Sequence, residues 1–291
     1  MDCCFYDPSR FYNNIISLNL FFYILFLTRK IITEISVRLV SLKDYFEYSR
    51  GTIPLIFSVP HGGTFKFENI PERNNGIHGV DKDTVRLAFD LIQKIKILFK
   101  LNSNDNKAPS YIFSKIKRVN VDLNRKESEA FHSKSYLARE IYQSYHNTIQ
   151  KLISYNLYKF ERSLLVDIHG FEKIKRPKGF RDVELVLGTN NLESMFNYKI
   201  PKKDWGKNLR GKIIKKFNDL NIPIAPGHHN RREYALTGGY TIQKYGASRI
   251  NDSQAIQIEF SDTIRLYDEL LREKALNSLA LLFFEEFDLK G

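Results

Sequence analysis

The stretch Leu164-Leu165-Val166-Asp167-Ile168-His169-Gly170 joins a short apolar run to a histidine and a glycine. A short apolar run that is interrupted by few polar residues is typical of a strand buried on both faces of a sheet. Because successive side chains of a strand point to opposite faces, we expect Asp167 and His169 on the same side. The segment therefore predicts a central strand of an α/β sheet that ends in chemically useful side chains.

The rest of the chain alternates short apolar runs with longer helical patterns, which predicts an α/β fold. We expect a single domain over residues 35–291, with a mixed, mostly parallel sheet and helices on both of its faces. The other predicted strands are 55–59, 117–123, 183–187 and 255–259, and the predicted helices are 84–99, 136–155 and 266–287.

Composition narrows the function only slightly. Hydrophobic residues make up 43% of the 291 residues and charged residues 27%, as in an ordinary soluble domain. The net charge of +12 is spread along the chain, which favours a solvated basic surface. A non-catalytic protein that binds nucleic acid is the alternative, but no zinc-finger or RNA-binding motif supports it, so no nucleic-acid partner is expected.

The N-terminal segment, residues 1–34, contains both cysteines and an uncharged, mostly apolar stretch. Cys3 and Cys4 are adjacent, so the sequence predicts no disulfide framework, which suits the cytoplasm. The apolar stretch starts at Phe11 and ends at Thr28. We interpret it as an apolar helix packed on the domain or as the product of a start codon placed too early. A membrane anchor is the less favoured alternative.

Two histidines follow predicted strands and precede glycines, in Pro60-His61-Gly62-Gly63 and in Asp167-Ile168-His169-Gly170. Two such positions together predict a shared site, because ligands of α/β sheets bind at the carboxyl ends of the strands. A catalytic zinc ion takes three protein ligands and a water molecule. The candidates for the third protein ligand are Asp81, Asp83 and His78. Asp83 is also suited to cap the helix that follows.

Three further elements carry charged or polar side chains. Glu259 ends the apolar run 255–258, where an unpaired acid would be costly, so it is a candidate general base. Arg118 and Arg125 flank a polar segment and are suited to bind an oxyanion and a carboxylate. Tyr240 follows two glycines and has a hydroxyl group that could contact a substrate.

Taken in order, these motifs resemble the N-formylglutamate amidohydrolase family, which has a zinc carboxypeptidase-like (phosphorylase/hydrolase-like) fold and a site similar to that of aspartoacylase. The stretches that carry the resemblance extend from strand 55–59 to Phe260. They are Pro60-His61-Gly62-Gly63, Asp81 with Thr84, Val121-Asp122-Leu123-Asn124-Arg125, Asp167-Ile168-His169, Asp182 to Gly188, Gly238-Gly239-Tyr240, Tyr245-Gly246 and Gln257-Ile258-Glu259.

The resemblance implies one zinc ion, a small anionic amide substrate and a role for each matching residue. The implied metal ligands are His61, Asp81 and His169; the catalytic residues are Glu259 as general base and Arg118 at the oxyanion; the substrate-binding residues are Arg125, Asn124 and Tyr240. The chain departs from the family where Gly62 and Gly170 replace the usual serines. The implied activity is hydrolysis of an N-formylglutamate-like N-acyl amino acid, with a peptidase or cell-wall amidase on the same scaffold as the alternative.

Overall fold

The structure is a computed structural model, and it describes residues 44–176 and 182–288. The apolar segment 11–28, the helix predicted there and the domain boundary predicted after residue 34 lie outside the described residues. The described residues form one compact unit.

One sheet of seven strands runs through this unit, in the order β1-β3-β2-β4-β7-β5-β6. The strands are β1 (Phe46–Ser49), β2 (Leu55–Val59), β3 (Ser110–Ser114), β4 (Ser163–Phe171), β5 (Leu185–Gly188), β6 (Ile224–Ala225) and β7 (Ser253–Ser261). The α-helices are α1 (Thr84–Ser103), α2 (Glu127–Ala130), α3 (Tyr136–Phe160), α4 (Leu209–Asp219), α5 (Tyr240–Tyr245) and α6 (Glu269–Phe287).

The central strands are parallel. β3, β2, β4 and β7 all run in one direction. β1 is antiparallel to β3, and β5 is antiparallel to β7 but parallel to β6. Parallel neighbours bring their carboxyl ends to the same edge of the sheet. The predicted mixed, mostly parallel sheet is therefore confirmed, and the ends of β2, β4 and β7 meet where the histidines and Glu259 stand.

Alternation along the strands divides apolar from polar side chains. Phe57, Val166 and Ile258 belong to the main hydrophobic core, which the buried faces of α1, α4 and α6 complete. Side chains at alternate positions, such as Asp167 and Glu259, point to the opposite face. There α3 contacts β2, β3 and β4, and α5 contacts β4 and β7. The sheet is thus covered by helices on both faces, as predicted.

The strand predicted over residues 117–123 is wrong. Lys117 lies outside any strand, and a turn follows it, closed by the Asn120 N–H group donating to the Lys117 carbonyl. Asp122 in this segment is fully buried among cations. The alternating polar residues therefore reflect a buried ionic cluster and not the exposed face of a strand. The final helix, predicted from residue 266, begins at Glu269 after a π-helical turn over Thr263–Tyr267.

Among the helices in residues 44–176 and 182–288, none is both long enough and apolar enough to cross a membrane.

Candidate metal centre

The eight residues to which the resemblance assigns a role all line one cavity of about 590 Å³ at the carboxyl ends of the central strands. These residues are His61, Asp81, Arg118, Asn124, Arg125, His169, Tyr240 and Glu259. They come from separate parts of the chain, so the fold brings together what the sequence places up to 198 residues apart, from position 61 to position 259.

Three elements supply the candidate metal ligands. His61 follows the end of β2, and His169 lies near the end of the neighbouring strand β4. Asp81 lies in the connection before α1, where its N–H group donates to the His61 carbonyl over 3.0 Å. Its Oδ2 atom accepts from the Gly170 N–H group at 3.1 Å. Main-chain bonds to the two histidine motifs thus hold the Asp81 carboxylate at the site.

The three donor atoms stand at the spacing that a single metal ion requires. Nδ1 of His61 lies 3.1 Å from Nδ1 of His169, and Oδ2 of Asp81 lies 3.6 Å from the first and 3.3 Å from the second. Tetrahedral geometry with bonds of about 2.0–2.1 Å places ligand atoms about 3.3–3.4 Å apart. The side chains therefore form a candidate site for one metal ion, with a donor set of two imidazoles and a carboxylate.

A buried carboxylate supports each histidine from behind. Nε2 of His61 lies 2.7 Å from Oδ1 of Asp122, and Nε2 of His169 lies 2.7 Å from Oδ2 of Asp167. Both carboxylates are fully buried. A proton on each Nε2 satisfies these contacts and leaves each Nδ1 free to bind a metal, which is the usual arrangement around metal-binding histidines.

Electrostatics also favour a cation between these groups. Burial alone would lower the pKa of His169, but the Asp167 and Asp81 carboxylates outweigh it and raise the pKa well above its ordinary value. Burial would raise the pKa of Asp81, yet the hydrogen bonds from His169 and His61 lower it strongly. Positive charge is therefore stabilised at the point where the three donor atoms meet.

Asp122 is the hub of a cationic cluster beside the metal ligands. Its Oδ2 atom accepts from Nε of Arg118 at 2.9 Å and lies 3.5 Å from Nε of Arg125. The buried Arg73 guanidinium lies 3.6 Å from the same oxygen. Burial would raise the pKa of Asp122, but the charges of His61 and Arg118 and their hydrogen bonds lower it. Asp122 thus orients both His61 and the arginines that line the cavity.

Glu259 stands directly beside a metal ligand, because the register of β4 and β7 pairs it with His169. Nε2 of Gln257 donates to Oε1 of Glu259 over 2.8 Å, and the Gly239 N–H group fixes the far end of the Gln257 amide. Burial is the main cause that raises the pKa of Glu259, and the Asp81 charge adds to it. A raised pKa suits a carboxylate that must take up and return a proton.

The other two candidates for the third ligand lie away from the donor atoms. Asp83 directly precedes α1 with a left-handed backbone (φ 63°), makes no side-chain capping bond and accepts from Arg272 over 2.7 Å. His78 is exposed. Asp81 is therefore the side chain that the fold turns toward both histidines.

The arginines and the predicted substrate-binding residues differ in solvent exposure and in the hydrogen bonds that they already make. Arg125 is the more open arginine, with 40% of its side chain exposed against 11% for Arg118. Tyr240 begins α5 at the cavity wall. The Asn124 amide is held by its Oδ1 atom, which accepts from the Thr241 N–H group at 2.7 Å, and its Nδ2 atom lies 3.1 Å from Nε2 of His169.

Two residues of the site were missed at the level of sequence. Ser58 donates to Asp167 from the neighbouring strand; a polar residue inside an apolar strand was the available signal. Arg265 lines the cavity and donates to the carbonyls of Phe260, Lys82 and Phe171. It also explains Gly170, since a Cβ atom there would lie 2.4 Å from Nε of Arg265.

Comparison with known proteins shows similarity in fold alone. No family model matches the sequence, and no curated protein matches it. Among solved structures, an N-formylglutamate amidohydrolase from Ralstonia eutropha JMP134 aligns with a TM-score of 0.56 and 13% identity, over 84% of this chain and 98% of that one. The gene product Atu2144 from Agrobacterium tumefaciens aligns with a TM-score of 0.51 and 12% identity, over 83% and 92%. The resemblance predicted from the motifs is therefore confirmed at the level of the fold.

Proposed function

We propose that this protein is a metal-dependent amidohydrolase that cleaves the amide bond of a small, carboxylate-bearing N-acyl amino acid. The observation that carries the proposal is the convergence of His61, Asp81 and His169 on one point, with spacings of 3.1–3.6 Å, beside the partly buried Glu259. The similar fold of an N-formylglutamate amidohydrolase supports the choice of an amide bond.

His61, Asp81 and His169 would hold the metal, and their nitrogen and oxygen donors suit zinc. A bound zinc ion acts as a Lewis acid and lowers the pKa of water to about 7. Glu259 accepts the proton of the attacking water and later delivers it to the leaving amine. The hydrogen bond from Gln257 orients the Glu259 carboxylate for both transfers.

In this proposal, two arginines bind the two negatively charged groups, the oxyanion and the substrate carboxylate. Arg118 is the more buried, and Asp122 holds its Nε atom, so its remaining donors are suited to the oxyanion that forms at the carbonyl. Arg125 lies at the more open part of the cavity and binds a substrate carboxylate, which orients the scissile bond. Tyr240 and Asn124 complete the substrate contacts in this proposal.

The test measures hydrolysis of N-formyl, N-acetyl and dipeptide substrates, each in a glutamate and a leucine version, by the zinc-loaded protein and by Glu259→Gln. We expect the wild type to prefer an N-acyl glutamate over its leucine counterpart. Glu259→Gln should keep its zinc and lose about 10²–10⁴-fold in turnover, the contribution of a general base.

The exposed Glu285 provides a matched control, since Glu285→Gln makes the same chemical change on the outer surface of α6. That variant should hydrolyse the substrates at the wild-type rate. Normal turnover by Glu259→Gln would show that another group acts as base. If the zinc-loaded wild type hydrolyses none of these amides, the proposed function is wrong.

A further inference from the structure

A second large groove lies outside the metal centre, and it is lined by cations. Lys199, Lys202, Arg231 and Arg232 surround a space of about 660 Å³, together with Trp205. None of the described residues that line it is acidic, and none of these four cations forms an ion pair within residues 44–176 and 182–288. We call this feature the Trp205 groove. Its uncompensated charge favours an anionic ligand.

The walls of the groove are held by buried interactions. Arg210 is fully buried and pairs with Glu233, and its other nitrogens donate to the carbonyls of His229 and Arg231 over 3.1 and 2.8 Å. This fixes the main chain that carries two of the cations. The Trp205 indole N–H donates to the Ile200 carbonyl over 3.1 Å, which orients the ring. The groove is thus formed before any ligand arrives.

One residue that lines the groove, Asn230, has a side-chain atom without a partner among the described residues. Oδ1 of Asn230 is buried and accepts no hydrogen bond from the described residues. A buried amide oxygen without a donor is destabilising, and Asn230 lines the groove, so a ligand N–H group that reached this oxygen would relieve the cost. The Trp205 groove therefore offers positive charge for acidic groups and an acceptor for an amide N–H.

The groove lies close to the catalytic cavity. Arg232 lines the groove and Leu236 lines the cavity, and four residue steps of at most about 3.6 Å limit their separation to about 14 Å. Between them Tyr234 is 51% exposed. The two sites therefore border the same short segment of the chain.

We propose that the Trp205 groove binds the acidic tail of an extended substrate whose amide bond lies in the catalytic cavity. An acidic oligopeptide supplies carboxylates for the four cations and an amide N–H for Asn230. At about 3.3–3.6 Å per residue, a chain of about five residues is long enough to cover the separation of Arg232 and Leu236. The identity of the cleaved bond rests on the proposed function, whereas the binding of the acidic chain does not.

The single tryptophan of the chain lies in the groove, so its fluorescence reports binding there directly. We would titrate zinc-loaded wild type and the Glu259→Gln variant, which does not consume the ligand, with hexa-L-glutamate. The expected result is a saturable fluorescence change that weakens as salt is added. Arg231→Gln/Arg232→Gln should weaken binding about tenfold, and Arg231→Lys/Arg232→Lys should stay within about threefold of wild type.

The control removes the same charge elsewhere: Lys96→Gln/Lys100→Gln on the exposed face of α1 should bind within about twofold of wild type. If the Arg231/Arg232 and Lys96/Lys100 glutamine variants lose affinity equally, binding is not specific to the Trp205 groove. A wild type without a fluorescence response would also contradict binding there. Tighter binding of an oligothymidylate of equal charge would overturn the ligand class. Cleavage of short N-acyl amino acids without a fluorescence response would refute the groove alone. A response without any amide cleavage would refute only the proposed function.

Discussion

Replacing Asp122 by asparagine tests how the metal centre is held together. The substitution keeps the size of the side chain but removes a negative charge from a fully buried position. Oδ1 of Asp122 accepts from His61 and from the Asn124 N–H group, over 2.7 and 3.1 Å, and Oδ2 accepts from Arg118 over 2.9 Å. An asparagine directs N–H donors at one of these donor groups, so at least one contact becomes repulsive.

The expected loss of stability depends on how deeply the partners of Asp122 remain buried after the substitution. Breaking a buried ion pair by removing one partner destabilises by about 3–5 kcal/mol. Arg118 and Arg125 have partial access to water, with 11% and 40% of their side chains exposed, so the lower end applies. We expect the free energy of unfolding to fall by about 3 kcal/mol. For a domain of this size, that corresponds to about 6–12 °C in Tm. Loss of the carboxylate behind His61 should also weaken metal binding about 10–100-fold.

The assay has two parts, and each has a matched control. Thermal unfolding of chelated protein, followed by circular dichroism, measures stability, and competition with a zinc-binding dye measures affinity. The exposed Asp219 at the end of α4 undergoes the same chemical change in Asp219→Asn, which should match wild type in both assays. If Asp122→Asn melts within about 1 °C of wild type and binds zinc equally well, Asp122 does not organise this site.

Two further predictions concern packing and protonation. A Cβ atom at Gly170 would lie 2.4 Å from Nε of Arg265, so Gly170→Ala should lower the free energy of unfolding by about 1–3 kcal/mol in urea titrations. Gly79→Ala, where a Cβ atom meets nothing within 4 Å, should change it by less than about 0.5 kcal/mol, and equal losses would contradict the close approach. Burial lowers the pKa of His146 from 6.5 to about 3, so the unfolded chain binds the extra proton between these values. Stability should therefore fall as the pH drops through this window, by at most about 4–5 kcal/mol, and identical pH slopes for wild type and His146→Gln would contradict this.

The sequence was informative wherever a strand ended at the site. His61, His169 and Glu259 follow or end apolar runs, and parallel neighbours necessarily bring such ends together. The alternation within β4 also correctly placed Asp167 beside His169. These inferences needed only the local pattern and the general geometry of parallel sheets.

Contacts between segments that are distant in sequence cannot be predicted from local patterns. The choice between Asp81 and Asp83 depends on Arg272, which lies 189 positions beyond Asp83 and draws its carboxylate away. The polar alternation around Asp122 was read as a strand because the cations that surround it are set by the tertiary fold. In each case the deciding partner cannot be identified from spacing along the chain.

Metal content tests the central claim most directly. Wild-type protein, His61→Ala and His169→Ala would be loaded with zinc, dialysed and measured by inductively coupled plasma mass spectrometry. His78→Ala, which removes an exposed histidine, serves as the control. We predict about one zinc ion per chain in the wild type and in the control, and less than about one tenth of that in the other two variants. A wild type without stoichiometric metal, or unchanged metal in His61→Ala and His169→Ala, would contradict a metal centre at these residues.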